Sequence, residues 1–199
     1  MIKQTPKQKL LLLAVVLPAT FVLAGAKSAR AEEGIIKDAS VHTDRPTKLD
    51  FTGSLGFLGN FGVGVAGWYS MPLVKDGFIP PLNDSFNLEL GVAIDYEWAS
   101  YGYLAYNCDY NWYGVYPIGG VRWDFYLTPS WTVFAAAKAG IGYRGLKADC
   151  ADGYNFGESS GSHFVPAGGV GAYWNFSPGM GMRFDVNSLG ASVGISINL

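Results

Sequence analysis

Two adjacent side chains in the second half of the chain have the types that nucleophilic catalysis uses. Ser162 precedes His163, and Ser160 lies two residues earlier. A serine hydroxyl becomes a nucleophile when a histidine base is within hydrogen-bonding distance and an acid orients that base. Neighbouring residues of a β-strand point to opposite faces, so this pair cannot meet if the stretch is a strand. No catalytic residue is therefore predicted.

A glycine motif at residues 62–67 matches the pattern G-x-G-x-x-G. In dinucleotide-binding proteins this pattern follows a strand and opens a helix whose N-terminus holds the pyrophosphate. Here the motif lies inside a segment that alternates with a period of two. The glycines are therefore interpreted as small residues on one face of a strand, and no cofactor is predicted.

Charged residues recur among small and polar residues at alternate positions of several segments. They are Asp50, Glu89, Asp95, Glu97, Arg122, Asp124, Lys138, Arg144, Arg183 and Asp185. Buried charges need partners, so acids and bases from different segments are expected to pair across a narrow interior. The favoured interpretation is an ion-pair network that fills this interior. The alternative is a gate whose rearranged pairs admit ions.

The first 31 residues have the pattern of a secretory signal peptide. A lysine-containing stretch precedes the apolar run Leu10–Leu23, and Ala29-Arg30-Ala31 is an A-x-A cleavage site. The run is shorter than the roughly 20 residues of a spanning helix, and Pro18 interrupts it. Cleavage after Ala31 is predicted rather than an uncleaved anchor. Residues 32–47 are polar without periodicity, and a flexible periplasmic leader is predicted there.

Removal of residues 1–31 leaves an acidic chain of one domain. The sequence has 14 Lys and Arg and 16 Asp and Glu, and five of the basic residues lie before residue 32. The remaining charge is therefore 9 − 16 = −7. An acidic chain without a basic cluster argues against nucleic-acid binding.

The exported part contains two cysteines, Cys108 and Cys150. An even pair in an oxidising compartment predicts one disulfide. A metal site is the alternative, but His42 and His163 lack ligand spacing relative to the cysteines. No metal is predicted.

Alternation with a period of two dominates residues 48–199 and predicts an all-β fold. In Phe86–Trp98 one face is wholly apolar, and the other carries polar, acidic or very small residues. The same contrast defines further strands at Tyr113–Leu127, Trp131–Arg144, Phe164–Phe176, Met180–Asn187 and Ala191–Leu199. The segment Leu49–Met71 is predicted as a hairpin with a turn near Gly59-Asn60. The total is eight antiparallel strands.

Strand length and residue types favour a membrane-spanning, up-and-down barrel. Many strands have about 9–13 residues, whereas a tilted strand needs about 9–11 to cross a bilayer and soluble strands average about 5–6. The apolar face has aromatic residues at strand ends, as in the interfacial girdles of membrane barrels: Tyr96, Trp98, Tyr113, Phe125, Trp131 and Tyr143. Lipid offers no hydrogen-bond partner to an open sheet edge, so the sheet must close.

These features resemble the small outer-membrane β-barrel superfamily, which includes the transmembrane domain of outer membrane protein A, outer membrane protein X and opacity-type adhesins. The resemblance covers residues 48–199 and includes the terminal amphipathic strand Ala191–Leu199. It implies a bacterial outer-membrane location, surrounding outer-membrane lipid, insertion by the outer-membrane assembly machinery and periplasmic termini. The family's assembly signal usually ends in an aromatic residue, whereas this chain ends in Leu199.

The expected function is structural or a surface interaction through the outer loops, with an extracellular ligand or surface partner. Loop aromatics supply contact area at low entropic cost: Tyr101, Tyr103, Tyr106, Tyr110, Trp112 and Tyr154. They could equally extend the outer girdle. Two alternatives come from other classes: a narrow pore for ions or small solutes, and a lipid A-modifying enzyme, since some barrels similar to this one use a Ser/His/acid set.

Overall fold

The computed structural model describes residues 34–38, 45–56, 61–103, 106–150, 158–188 and 190–199, and residues 34–199 form one compact unit. The predicted signal peptide, the turn near Gly59-Asn60, Tyr154 and most of the predicted leader lie outside the described residues. Within the described residues there is no helix with the length and apolar character needed to cross a membrane.

Eight antiparallel strands form a closed barrel in which every strand pairs with its sequence neighbours and β8 pairs with β1. The strands are β1 (Lys48–Gly56), β2 (Phe61–Val74), β3 (Asp84–Tyr103), β4 (Tyr106–Tyr126), β5 (Trp131–Cys150), β6 (Glu158–Ser177), β7 (Met180–Asn187) and β8 (Gly190–Asn198). The predicted fold class and strand number are confirmed.

The alternation of the sequence becomes the inside and outside of this barrel. On β3, Val92 and Ile94 point outward and are about half exposed, at 47% and 50%, whereas Glu89 on the opposite face is fully buried. The same holds on β6, where Val170 is exposed at 62% and Tyr173 is fully buried. The molecule is therefore apolar outside and polar inside, the reverse of a soluble globular domain.

Aromatic residues lie at both ends of the apolar band. At the end that carries Leu199, Trp123 packs on Phe125 with ring centroids 5.1 Å apart, and Trp131 stacks on Trp174 at 6.2 Å. At the other end, Phe61 packs on Trp98 at 5.3 Å. Aromatic rings at these two levels are typical of the interfacial girdles of membrane barrels.

The four central strands are longer than the sequence pattern predicts. Strands β3, β5 and β6 have 20 residues each and β4 has 21. Their additional residues extend beyond the closed ring, on the side opposite Leu199. We call this part, residues 99–103, 106–113, 144–150 and 158–165, the protruding sheet. Cys108 and Cys150 belong to paired strands of this sheet rather than to loops.

Part of the predicted leader packs on the barrel end that carries Leu199. The Ile35 side chain is buried, and its amide donates to Leu127 O at 2.9 Å. Asn83 donates from its side chain to Ile35 O and accepts from Arg45 Nη2 at 2.6 Å. These contacts differ from the flexible segment that the sequence predicts.

The contacts of Asn83 also explain why the connection between β2 and β3 is long. Its residues 75–83 carry the groups that hold the N-terminal segment, since Lys75 O accepts a hydrogen bond from Arg45 Nε at 3.0 Å. Asp84 fixes the base of this connection by accepting from Trp123 Nε1 at 2.6 Å and from Phe78 N at 3.3 Å. Gly77 has φ of +61°, and a side chain there would collide with the Asp84 carboxylate.

Candidate functional site

Alternation on each strand sends the predicted charged residues into the lumen, and most of them meet near the centre of the barrel. Glu89 of β3 lies at the centre and accepts hydrogen bonds from three cations. Arg122 Nη1 is 2.5 Å from Glu89 Oε2, Lys138 Nζ is 2.7 Å from Oε1, and Arg183 Nη2 is 3.0 Å from Oε1. Charge-assisted hydrogen bonds of this length are the strong class, so Glu89 ties β3 to β4, β5 and β7.

A second carboxylate and a tyrosine complete this cluster. Asp50 Oδ2 accepts from Arg183 Nη1 at 2.8 Å and from the Tyr173 hydroxyl at 2.7 Å. The same hydroxyl accepts from Arg122 Nη1 at 2.6 Å. Tyr173 therefore links Asp50 of β1 to Arg122 of β4 across the lumen. We call Asp50, Glu89, Arg122, Asp124, Lys138, Tyr173, Arg183 and Asp185 the central cluster.

Each arginine of the central cluster also pairs with a carboxylate two residues along its own strand. Arg122 Nε donates to Asp124 Oδ1 at 2.7 Å, and Arg183 Nε donates to Asp185 Oδ2 at 3.0 Å. Residues i and i+2 of a strand lie on the same face, so the sequence encodes these two contacts directly. Each guanidinium is held from two sides.

Aromatic faces cover the cations of the cluster. Lys138 Nζ lies 3.9 Å from the centroid of the Trp68 ring, and the Arg183 guanidinium lies 5.1 Å from the Phe134 ring. Cation–π contacts gain strength where water is excluded. These rings replace water around charges that have less than 10% exposure.

The buried lumen charges balance. Among the described residues, four cations in the lumen face four carboxylates: Lys48, Arg122, Lys138 and Arg183 against Asp50, Glu89, Asp124 and Asp185. Together with Tyr173, whose own exposure is 0%, these side chains fill the cross-section of the described barrel at this level. This geometry supports a filled lumen, as expected for eight strands.

The remaining predicted lumen charges form a second group nearer the protruding sheet. Arg144 pairs with Glu97, and both side chains are partly exposed, at 31% and 20%. Asp95 accepts a hydrogen bond from the Tyr116 hydroxyl at 3.0 Å. The predicted charges therefore belong to two separate groups, a buried central one and a partly hydrated outer one.

Ser162 and His163 lie within β6 and point to opposite faces of it. The His163 ring packs edge-on against Tyr116 with centroids 5.9 Å apart, on the lumen side. This geometry does not bring a hydroxyl nucleophile to the imidazole. Within the described residues, no group of three or more His, Cys, Asp or Glu side chains is arranged to hold a metal ion.

Two of the predicted outer aromatics have described side chains. Tyr110 stacks on Trp112 with centroids 5.8 Å apart and an interplanar angle of 19°, and the Trp112 ring lies 5.6 Å from the Arg144 guanidinium. Both contacts lie where β4 leaves the closed ring. The side chains of Tyr101, Tyr103 and Tyr106, like the whole of Tyr154, lie outside the described residues.

Cys108 and Cys150 are register partners on β4 and β5. Direct partners in an antiparallel pair have Cα atoms about 4.5–5.5 Å apart, and disulfides span Cα distances of about 4.4–6.8 Å. The backbone therefore places the two cysteines at bonding distance, inside the protruding sheet.

Sequence reasoning missed Tyr173 and Lys48, which are both buried in the lumen. Tyr173 lies at an inward position of β6, two residues after Gly171 and two before Asn175, so the alternation carried the signal. A tyrosine next to an aromatic girdle does not by its type indicate a hydrogen-bonding residue of the lumen. Lys48 is the first residue of β1, where too few residues precede it for the alternation to assign its face.

In sequence comparisons, no protein-family model and no curated protein matches this chain. Among solved structures, the fold is similar to that of Ail, the attachment invasion locus protein of Yersinia pestis. A crystal structure of Ail with the heparin analogue sucrose octasulfate has 14% identity and a TM-score of 0.40, with 77% of this chain and 96% of Ail covered. A structure of Ail in a phospholipid bilayer nanodisc has 13% identity and a TM-score of 0.39, with 78% and 100% covered.

Proposed function

We propose that this chain is a plugged β-barrel of the bacterial outer membrane that acts at the cell surface through its protruding sheet. The observation that carries the proposal is the contrast between a filled, closed ring and a four-stranded sheet with two open edges. The ring would anchor the molecule in lipid. The open sheet would be the part available to a partner.

The outward face of the ring supports the membrane part of this proposal. Ile141, Val65 and Val186 are exposed at 60–66%. A continuous exposed apolar surface of this kind marks a contact with a membrane or with another protein. A strand rises about 3.3 Å per residue and tilts by about 40°. The nine residues of β1 and β8 then span about 23 Å, close to the roughly 25 Å apolar band of outer-membrane barrels.

The strand extensions support an orientation with both termini in the periplasm. Residues 99–103, 106–113, 144–150 and 158–165 continue beyond the ring at one end, whereas the turns at residues 127–130 and 178–179 stay short at the end that carries Leu199. Outer-membrane barrels have their larger hairpin extensions outside the cell and short turns in the periplasm, so the protruding sheet would face outward. Residues 1–31 would be removed on export, and N-terminal sequencing of the membrane-inserted protein would test this.

The central cluster supports a plug rather than a pore. Its ion pairs cross the lumen at distances of 2.5–3.0 Å, and separating them exposes buried charges at a cost of several kcal/mol. Refolded protein in a planar lipid bilayer should therefore give no discrete conductance steps. Reproducible steps from protein shown to be folded would instead support the pore.

The open edges support the surface role. Strand β2 pairs with β3 only as far as Trp98, and β7 pairs with β6 only from Gly169. Residues 99–103 of β3 and 158–168 of β6 therefore have no strand partner on one side within the described chain. Exposed edges with free backbone groups add strands from other polypeptides. The proposed partner is an extended polypeptide segment that pairs with the β6 edge.

The β6 edge changes character where it leaves the ring. Next to the ring, two backbone carbonyls of β6 accept hydrogen bonds from Ser188. The Ser188 amide donates to Gly168 O at 3.1 Å, and the Ser188 hydroxyl donates to Pro166 O at 2.7 Å. Pro166 itself has no amide to leave unpaired. Beyond Phe164 the next outward positions of β6 are Ser162 and Ser160, without the lysines that protect natural edges.

An adhesion assay tests the surface role. Cells that display the wild-type protein should bind cultured epithelial monolayers or plates coated with extracellular-matrix extract better than cells without it. Replacing Ser160 and Ser162 by Lys should reduce this binding, because charged edge residues block strand addition. Thr128→Lys, on the opposite end, adds a similar charge and should leave binding unchanged. Equal binding by all cells would overturn the surface role.

A disulfide between Cys108 and Cys150 is proposed as part of the surface role. It would clamp β4 to β5 in the protruding sheet, where lipid no longer supports the strands. Mass spectrometry of a nonreduced digest should show the two cysteine peptides linked. Two separate, alkylated peptides would contradict the pairing.

The lipid-modifying alternative has no described geometry in its favour. Its direct test is the mass of lipid A from cells that express the protein. A mass change that disappears in His163→Ala would establish the enzyme and displace the surface role.

A further inference from the structure

Hydrogen-bonding atoms on the lumen wall formed by β8, β1 and β2 lack partners. Asp50 Oδ1, Ser70 Oγ and Ser196 Oγ are buried, in residues with 0–2% exposure, and have no hydrogen bond within the described structure. Asn198 Oδ1 is a fourth such atom. More than nine-tenths of buried polar groups in proteins have a partner, so four atoms without one on a single wall require a ligand.

Strand register makes these atoms neighbours. Asp50 pairs with Ser196 across β1 and β8, and Lys48 pairs with Ser70 on one side and Asn198 on the other. All five residues occupy inward positions. They form a patch two residues deep and three strands wide, between the central cluster and the barrel end that carries Leu199.

Lys48 is the cationic member of this patch. It has 4% exposure, and its Nζ lies 3.8 Å above the Tyr173 ring. Arg122, Lys138 and Arg183 each have a carboxylate oxygen within 3.0 Å, whereas Lys48 has none within 4.0 Å in the described residues. An ammonium group cannot stay buried with only a π contact, so its N–H groups need acceptors.

We infer that the patch is a binding site for ordered water, with about two molecules that bridge Lys48 Nζ to the unpaired oxygens. Water fits because the site needs both roles at once. The Lys48 ammonium group only donates, the Asp50 and Asn198 oxygens only accept, and the two serine hydroxyls do either. A bound anion would face the unpaired Asp50 carboxylate oxygen, and a bound cation would face Lys48.

Thr132 extends the site to the opposite wall. Its Oγ1 is also buried without a hydrogen-bond partner. Thr132 is the register partner of Tyr173, and the Tyr173 ring contacts Lys48 Nζ. Water at Lys48 would therefore lie over one side of the central cluster. The lumen is then filled in two ways, by direct ion pairs around Glu89 and by water around Lys48.

Water-to-protein magnetisation transfer in solid-state NMR tests the site in lipid bilayers. Three lysine Nζ signals are compared: buried Lys48, buried Lys138 with its direct Glu89 contact, and exposed Lys75. Transfer to Lys48 should build up severalfold faster than to Lys138 and approach the rate for Lys75. Transfer to Lys48 as slow as to Lys138 would overturn the assignment.

A pair of matched variants gives an independent measurement. Lys138→Met removes a direct partner of Glu89 and should lower the urea midpoint of unfolding. Lys48→Met removes a charge held only by water and the Tyr173 ring, so its midpoint should stay unchanged or rise. A fall in the Lys48→Met midpoint equal to that of Lys138→Met would show a direct protein partner and overturn the inference. Bromide density beside Lys48 in crystals grown with bromide would also overturn it.

Discussion

The closed ring and the protruding sheet share the four strands β3 to β6, yet the surroundings of these strands differ between the two regions. Within the ring, outward side chains are apolar, inward ones are charged, polar, small or aromatic, and each strand has two neighbours. In the protruding sheet, β6 no longer pairs with β7, and Ser159–Ser162 are exposed on both faces of β6. The strands persist while their outward residues change from apolar to polar.

This difference indicates that the ring, rather than the protruding sheet, contains the ion pairs that stabilise the fold. The ring places its charges at the centre, where each is paired or covered. At the start of the protruding sheet, Arg144 forms an ion pair with Glu97 of the ring in a partly exposed position, where ion pairs contribute little. Substitutions in the two regions should therefore have effects of different size.

The largest effect is expected for Arg183→Met. This change leaves Glu89, Asp50 and Asp185 without a shared partner, and removing one member of a buried pair costs about 3–5 kcal/mol. Urea unfolding of the protein in lipid vesicles, followed by tryptophan fluorescence, should show this loss of unfolding free energy. A loss below about 1 kcal/mol would mean that the central cluster is hydrated and resembles the outer group.

A second large effect is expected for Val92→Arg on the lipid face of β3. An arginine near the membrane midplane costs about 2–4 kcal/mol, measured as the change in unfolding free energy in lipid vesicles. Ser160→Arg in the protruding sheet adds the same side chain in contact with water and should change it by less than about 0.5 kcal/mol. Equal losses of unfolding free energy at both positions would show that the outward faces of the ring and of the protruding sheet have the same surroundings.

Cys108→Ser should act locally. If the proposed disulfide forms, its loss removes about 2–4 kcal/mol of constraint on the chain between the two cysteines. Because the two cysteines lie outside the ring, amide hydrogen exchange should quicken at residues 106–112 and 144–150 but not at residues 122–126. Faster exchange in the ring would show that the two regions unfold together.

The smallest effect is expected for Arg144→Met. Arg144 and Glu97 are partly exposed, so the loss of unfolding free energy should stay within about 1 kcal/mol. The same urea titration as for Arg183→Met measures it. A loss as large as that of Arg183→Met would place Arg144 in the same stabilising network.

The sequence predicted the ring well because apolar residues outside and charged or small residues inside alternate strongly along each strand. It underestimated the length of β4 because residues 106–112 do not alternate between apolar and polar types, so a period of two cannot be recognised there. It found the charged residues, but not which of them meet. Alternation fixes a face, whereas the barrel's stagger decides that Arg183 reaches Glu89 and Arg144 does not.

Tyr173 and Lys48 escaped prediction for a related reason. Both have amphipathic side chains, so neither type marks a face. Their roles depend on partners from distant strands, since Tyr173 meets Asp50 across 123 residues of sequence. The N-terminal contacts of Ile35 and Arg45 with Asn83 escaped for the same reason.

The central cluster also has a consequence for the order of folding. The hydrogen bond between Arg183 and Asp50 joins residues 133 positions apart. It forms only when β1 and β7 come together, which requires that β8 pairs with β1 and closes the barrel. Contacts of such long range are made late. The ion pairs would therefore be absent from the rate-limiting transition state, and weakening them would speed unfolding while hardly slowing insertion. Glu89 and its partners then serve the lifetime of the inserted barrel rather than its assembly.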